Sequence, residues 1–232
     1  MNKVAVIPAR GGSKRIPRKN IIRISGIPLL GHTIKRLTEC HFFDEIFVST
    51  EDQEIAEIAR DYGAKVPFVR QKELADDYAS TKEVIIDLIK RLNLDLFPNL
   101  AVCCVYPSSA LLTKNLILNS YKRFLELDDG FLTLVQEYSH PIQRAMQIND
   151  QGKLIPINPE KVTVRTQDLP KTFHDSGSAY WGTIKSWMST GSILENAFGY
   201  EIARSEAIDL DNLEDLNLLS ALIKNQESSD NK

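Results

Sequence analysis

The sequence predicts an α/β fold: an open, mostly parallel sheet, doubly wound with helices on both faces. Three observations carry that prediction. Short β-branched runs alternate with amphipathic helical segments, the run from Leu100 to Val105 is apolar without a break, and a Gly-rich loop follows the first strand directly. Unbroken apolar strands mark parallel sheets covered on both faces, and such sheets bind ligands beyond the carboxyl ends of their strands.

Lys3 to Ile7 reads as the first strand, and Leu29 to Leu37 places apolar residues at helical spacing. Glu45 to Ser49 repeats the strand and Asp52 to Tyr62 the helix, with Glu51 and Asp52 supplying a cap and first-turn acids that suit the helix dipole. Val66 to Val69 reads as a third strand. In Ser80 to Leu92 the residues Val84, Ile85, Leu88, Ile89 and Leu92 share one helical face, and Leu100 to Val105 is a central parallel strand. Thr113 to Leu127 is another helix and Phe131 to Val135 another strand. After Gln136 the rhythm breaks. Met146 to Ile148, Asn149-Asp150-Gln151-Gly152 and Leu154 to Ile157 predict a β-hairpin, followed by polar residues to Thr172 without a helical period. Residues 137–173 therefore read as an insertion in a single domain spanning 1–232. Tyr180 onward returns to the main fold, Leu213 to Ile223 is a last amphipathic helix, and Gln226 to Lys232 reads as a frayed polar tail.

With 43% hydrophobic and 25% charged residues, 11 Gly and 10 Pro in 232 residues, the composition excludes disordered, collagen-like and disulfide-scaffold classes. The opening apolar stretch is closed by Pro8 and Arg10, too short for a signal peptide and far below the roughly 18 apolar residues of a spanning helix, so a cytoplasmic protein without membrane contact is expected. Cys103 and Cys104 fall on opposite faces of a strand. Together with Cys40 they read as reduced, buried packing residues, since no Cys or His partner lies at metal-ligand spacing. The net charge of −3 conceals an asymmetry: nine cations precede the first acid, Glu39, so the first 38 residues carry +9 and the remainder −12.

Much of that positive charge lies in Ile7-Pro8-Ala9-Arg10-Gly11-Gly12-Ser13-Lys14-Arg15-Ile16-Pro17-Arg18-Lys19-Asn20. Adjacent glycines after a strand let backbone amides approach an anion closely, and the flanking Arg and Lys neutralise phosphate charge. The spacing is neither that of a P-loop nor that of a dinucleotide fingerprint. Nucleic acid is disfavoured as the partner, because the loop contains no aromatic residue and the rest of the chain is acidic. A small polyphosphate fits better.

This loop resembles the N-terminal nucleotide loop of the CMP-sialic acid synthetase family, cytidylyltransferases that activate nonulosonic acids. Further blocks match in order: Val66-Pro67-Phe68-Val69-Arg70, Glu73-Leu74-Ala75-Asp76-Asp77 with Thr81, Tyr106-Pro107-Ser108-Ser109, Arg165-Thr166-Gln167-Asp168-Leu169-Pro170 and Ile208-Asp209-Leu210-Asp211. Pro141-Ile142-Gln143-Arg144-Ala145, Phe173-His174-Asp175 with Gly177, Tyr180-Trp181-Gly182, and the run from Asp209 to Asp215 resemble the pseudaminic acid branch. Tyr106 stands where sialic acid enzymes usually carry Gln. Ser178-Ala179 and Ala110-Leu111 stand where the branch usually has Gln-Phe and Pro-Phe, near the expected sugar pocket.

The resemblance implies a nucleotidyltransferase, Rossmann-like in fold, that transfers CMP from CTP to a nonulosonic acid with Mg²⁺ as cofactor. It makes Arg10, Ser13, Lys14 and Lys19 triphosphate contacts, with Lys19 on the α-phosphate, while Asn20, Arg70 and Thr81 hold cytosine and ribose. Asp209 and Asp211 are the expected metal ligands, and two residues apart in an extended segment they face the same way. Asp211 has an alternative reading as the cap of the helix beginning near Leu213. Arg144 or Arg165 suits the sugar carboxylate, and Tyr106, His174, Asp175 and Tyr180 suit its hydroxyl or acylamino groups. Asp209, Asp211 or a metal-bound hydroxide are each candidates for the general base. In the family the insertion mediates dimers and reaches the partner's site, so a two-fold homodimer is expected. The same chemistry on N-acetylneuraminic or legionaminic acid is the nearest alternative. A non-catalytic nucleotide sensor of this fold is more remote, because Lys19, Asp209 and Asp211 are all present.

Overall fold

The computed structural model describes residues 2–76 and 78–230, apart from the side chains of residues 227, 229 and 230. Asp77, in the block after Arg70, lies outside the described residues, as do the last two residues of the expected tail. In chain order the elements are β1 (Lys3–Pro8), β2 (Arg23–Ile24), β3 (Ile27–Pro28), α1 (Leu29–Glu39), β4 (Glu45–Ser49), α2 (Gln53–Asp61), α3 (Thr81–Arg91), β5 (Ala101–Val105), α4 (Lys114–Phe124), β6 (Phe131–Glu137), β7 (Met146–Ile148), β8 (Leu154–Pro156), β9 (Phe173–Thr183), α5 (Ile184–Met188), β10 (Ala197–Glu201) and α6 (Leu213–Asp230).

Six strands form the central sheet in the order β10-β6-β9-β5-β1-β4. All neighbours are parallel except β9, which runs antiparallel to both β5 and β6. The exception has a topological cause. Strand β9 is reached through the insertion and not through a crossover helix, so nothing requires it to run parallel to β6. The chain leaves β1 toward β4 on one side, whereas from β5 it proceeds toward β6 on the other. That divergence opens a crevice at the carboxyl ends of β1 and β5.

Alternation along the strands divides the core between the two faces. Ala5 and Ile7 pack with Leu30, Ile34 and Leu37 of α1, whereas Val4 and Val6 pack with Ile85, Leu88 and Ile89 of α3. Cys103 and Cys104 divide in the same way, and all three cysteines are free and buried. Trp181 centres an aromatic group, stacked on Phe43 at 5.6 Å and on Phe124 at 6.0 Å, with its indole N–H donated to Ser120 Oγ at 3.1 Å. A third apolar cluster joins Ile16 and Ile24 to Leu210, Leu219 and Ile223, so the start and the end of the chain share a core. No helix among the described residues is long and apolar enough to cross a membrane.

Caps fix where the helices begin. Asp52 accepts from the Ile55 N–H at 3.0 Å, Ser80 and Glu83 form a capping box, and Thr113 accepts from the Leu116 N–H at 3.2 Å. Three sequence expectations are corrected. Val66 to Val69 is not a strand. Isolated bridges flank it, Lys65 with Phe47 of β4 and Val69 with Thr50 just beyond β4, and Pro67 between them has no N–H to donate to a ladder. The sheet resumes at Phe173, well before Tyr180. The segment after Ile223 continues as helix to Asp230: it contains no Gly or Pro, and Gln226 accepts from Arg36 at 3.0 Å. The predicted hairpin is present as β7–β8, with Met146 opposite Pro156 and Ile148 opposite Leu154.

Trp181 is 1% exposed and is the hub of the α1/α4 face. Trp181→Ala is expected to lower the unfolding free energy in urea by about 3–5 kcal/mol; a loss below about 1 kcal/mol would show that the aromatic group repacks.

Candidate active site

A cleft of about 380 Å³ opens where the fold places its crevice, with Pro8 at the end of β1 and Tyr106 just after β5 in its wall. It brings together Arg10, Lys19, Asn20, Arg70, Thr81, Tyr106, Asp209 and Asp211 from segments spread along the whole chain. Ser13 and Lys14 line an adjoining lobe that shares Arg10, Lys19 and Asn20 with the first.

The basic loop is held by its own side chains and by neighbours. Asn20 is buried and donates its amide to the Arg10 carbonyl at 2.8 Å, closing the loop across its base. Arg10 donates to the Asp76 carbonyl at 2.8 Å. Arg18 adopts a left-handed backbone, φ 56°, and its guanidinium reaches Asp52 and Glu54 at the start of α2. Gly11 has no room for a side chain, since a Cβ there would lie 2.5 Å from Asp52 Oδ2, whereas the space beside Gly12 is open. The Gly11 N–H is donated to Glu51 Oε1 at 2.6 Å. One of the two glycines expected to cradle an anion is therefore required by packing against α2, and its amide is committed to a carboxylate of the protein.

Opposite the loop stands the segment 208–211. Leu210 is fully buried in the third apolar cluster, which leaves Asp209 and Asp211 lining the cleft. Lys19 donates to the Leu210 carbonyl at 2.8 Å, between the two carboxylates. Burial lowers the Lys19 pKa, and Asp209 and Asp211 oppose that shift. Burial, and then the charge of Asp211, raise that of Asp209. Asp211 pairs with Arg15 at 2.6 Å. The helix cap is a different residue: Asn212 Oδ1 accepts from Glu214 and Asp215, and Asp215 reaches back to the Asn212 N–H. The carboxylate of Asp211 is thus not used as a cap.

On the remaining wall, the Arg70 side chain is 3% exposed and donates to Glu51 Oε2 at 2.7 Å, while its Nε is buried without a hydrogen-bond partner. Thr81, the first residue of α3, bonds the Tyr106 hydroxyl at 2.8 Å. Burial pushes the Tyr106 phenol up to about 12. Tyr180 lies behind Tyr106, with ring centroids 5.5 Å apart, and donates its hydroxyl to Asp175 at 2.5 Å. Burial raises the Tyr180 pKa as well.

The other expected sugar contacts do not line the cleft among the described residues. His174 bonds the Asp175 carbonyl at 2.8 Å and packs against Tyr138. Arg144 donates to Thr166 within the insertion, and Arg165 is exposed just before the short helical turn Thr166–Asp168. Ser178, Ala179, Ala110 and Leu111 are all buried behind the cleft wall, so these departures from the branch pattern alter packing and not the cleft lining. Sequence reasoning missed Arg15, Asp76 and Glu51. Arg15 was visible within the basic loop. The roles of Glu51 and Asp76 depend on contacts 40 and 66 residues away in sequence, which no local pattern displays.

The family model described as Cytidylyltransferase matches residues 4–176. A pseudaminic acid cytidylyltransferase of Campylobacter jejuni is 39% identical over 231 residues, which cover 99% of this chain and 100% of that protein. A CMP-N,N'-diacetyllegionaminic acid synthase of Legionella pneumophila is 31% identical over 239 residues, covering 98% of this chain and 99% of that one. Among solved structures, CMP:2-keto-3-deoxy-manno-octonic acid synthetase complexed with CTP aligns with a TM-score of 0.70 at 17% identity, over 97% of this chain and 100% of that one, which shows a shared fold. By its family match and by relatedness along its whole length, the chain belongs to the cytidylyltransferase family of nucleotidyltransferases.

Proposed function

We propose that this enzyme transfers CMP from CTP to the anomeric hydroxyl of pseudaminic acid, releasing pyrophosphate. The observation that carries the reaction is the meeting of Lys19 with Asp209 and Asp211 across the cleft. The 39% identity to a pseudaminic acid cytidylyltransferase along the whole chain supports the acceptor. The sugar oxygen attacks the α-phosphorus, the bond to the β-phosphate oxygen breaks, and charge grows on the leaving group. Catalysis of this kind rests on positioning and on preorganised charge. Arg10, Ser13 and Lys14 would bind the triphosphate and Lys19 would hold the α-phosphate. Arg70, Asn20 and Thr81, which line the cleft together, would hold cytosine and ribose.

Asp209 and Asp211 suit Mg²⁺. They are hard oxygen donors, and their mutual repulsion, which helps raise the Asp209 pKa, is what a dication relieves. No group of three or more His, Cys, Asp or Glu among the described residues forms a fuller cage, and two carboxylates are enough for an ion that takes its other ligands from phosphate and water. When bound, the metal would neutralise charge on the phosphate oxygens. Arg15, already paired with Asp211, lies close enough to share that role.

The hairpin exposes Ile148 at 71%, Leu154 at 58% and Ile157 at 54%. We assign this face to a homodimer, in which the insertion would carry Arg144 and Arg165 toward the partner's sugar site. The reading places the enzyme in the cytoplasm, where CTP is available, and its three free thiols accord with that compartment.

A panel of pseudaminic, legionaminic and N-acetylneuraminic acids with CTP and Mg²⁺, read by pyrophosphate release, should give the highest kcat/KM for pseudaminic acid. Turnover of neuraminic acid without turnover of pseudaminic acid would overturn the acceptor. Lys19→Ala is expected to lower kcat by about 10²–10³-fold in a folded protein. Asp211→Asn should weaken Mg²⁺ activation by more than the roughly tenfold that loss of an outer-sphere partner costs; an unchanged Mg²⁺ titration would remove Asp211 from the metal site. Ile148→Ser with Leu154→Ser should convert the dimer to monomer in sedimentation, and a wild-type monomer would refute the assembly.

A further inference from the structure

We propose that Glu51 is a positioning residue that sets the triphosphate loop and the cytidine-facing arginine as one unit. The proposal rests on the reading of this cleft as a CTP site. Glu51 sits between β4 and α2, and each of its carboxylate oxygens has its own partner: Oε1 accepts from the Gly11 N–H at 2.6 Å and Oε2 from Arg70 at 2.7 Å. Backbone bonds lace the same junction, with the Ala9 N–H on the Ser49 carbonyl and the Arg70 N–H on the Thr50 carbonyl, both at 2.9 Å. Next to Glu51, Asp52 grips the far end of the loop through Arg18. The segment carrying Ser13, Lys14 and Arg15 is therefore pinned at both ends to the start of α2.

Two features show that this clamp acts on the ligand site. The Gly11 amide is occupied by Glu51, so Glu51 fixes the loop and leaves phosphate binding to its other donors. The Arg70 guanidinium is almost wholly buried and keeps one N–H, at Nε, without a partner, in a residue that lines the cleft. A buried guanidinium with a spare donor is aligned by the carboxylate that holds its other end. Movement of Glu51 would disturb the two halves of the nucleotide site together.

Glu51→Gln cannot accept from both donors with one oxygen, and it removes the counter-charge of Arg70. Glu51→Asp keeps that charge, and so protects the fold, but is too short to span both partners. Binding of CTP, CMP and inorganic tripolyphosphate is measured by calorimetry on the full chain, with kcat and KM from turnover. Both variants should bind CTP about tenfold more weakly, with CMP and tripolyphosphate each weakened in the same variant. At saturating CTP, kcat should remain within about threefold of wild type, the signature of lost binding that is uniform between ground and transition states. Wild-type CTP affinity in both variants, weakening of only one half of the nucleotide, or a fall in kcat at unchanged KM would overturn the proposal. Failure of the wild-type protein to bind CTP would overturn the CTP reading and this proposal with it.

Discussion

An ammonium group 2.8 Å from the carbonyl of a residue 191 positions later in the chain closes the cleft. Lys19 and Leu210 meet there, and most of the site is organised around that contact. Leu210 is fixed because it is buried with Ile16 and Ile24 from the start of the chain and with Leu219 and Ile223 from the last helix. Its neighbours Asp209 and Asp211 must then face the cavity, one on each side of the lysine. The cost is that charge is taken out of water: burial lowers the Lys19 pKa against the pull of the two carboxylates, and burial together with the charge of Asp211 raises that of Asp209. In a nucleotidyltransferase, charge arranged before a highly charged substrate arrives stabilises the transition state without reorganisation.

The charge asymmetry of the sequence takes a physical form here. Part of the positive N-terminal segment becomes the loop, and the acids that answer it come from two directions. Asp209 and Asp211 face the loop across the cleft, whereas Glu51, Asp52 and Glu54 hold it from behind. The first pair lines the cleft, and the second group sets the geometry of the loop.

How much of this was legible in the sequence follows from the range of each interaction. Strands β1, β4, β5 and β6 and helices α1 to α4 are set by local periodicity and caps, and they were readable to within a few residues at their ends. Asp209-Leu210-Asp211 was readable because a strict two-residue alternation puts the carboxylates on one side and the leucine on the other. The run Val66 to Val69 misled because β-branched composition outweighed Pro67. The reach of α6 past Ile223 was hidden because its polar end gains contacts from Arg36 and Leu111, far away in sequence. Glu51 was read as a helix-dipole acid for the same reason: its partners come from two other loops. Long-range carboxylate clamps leave no periodic trace.

The central claim is that the cleft between the loop and the Asp209–Asp211 segment is built around a nucleoside triphosphate with Lys19 at the reacting phosphorus. A crystal structure of the CTP complex tests it most directly. The account predicts the α-phosphate within hydrogen-bond distance of Lys19 Nζ, the β- and γ-phosphates along Arg10 to Lys14, and the cytidine against Arg70. A nucleotide bound in the reverse direction, with its base beside Asp209 and its phosphates at Arg70, would contradict it.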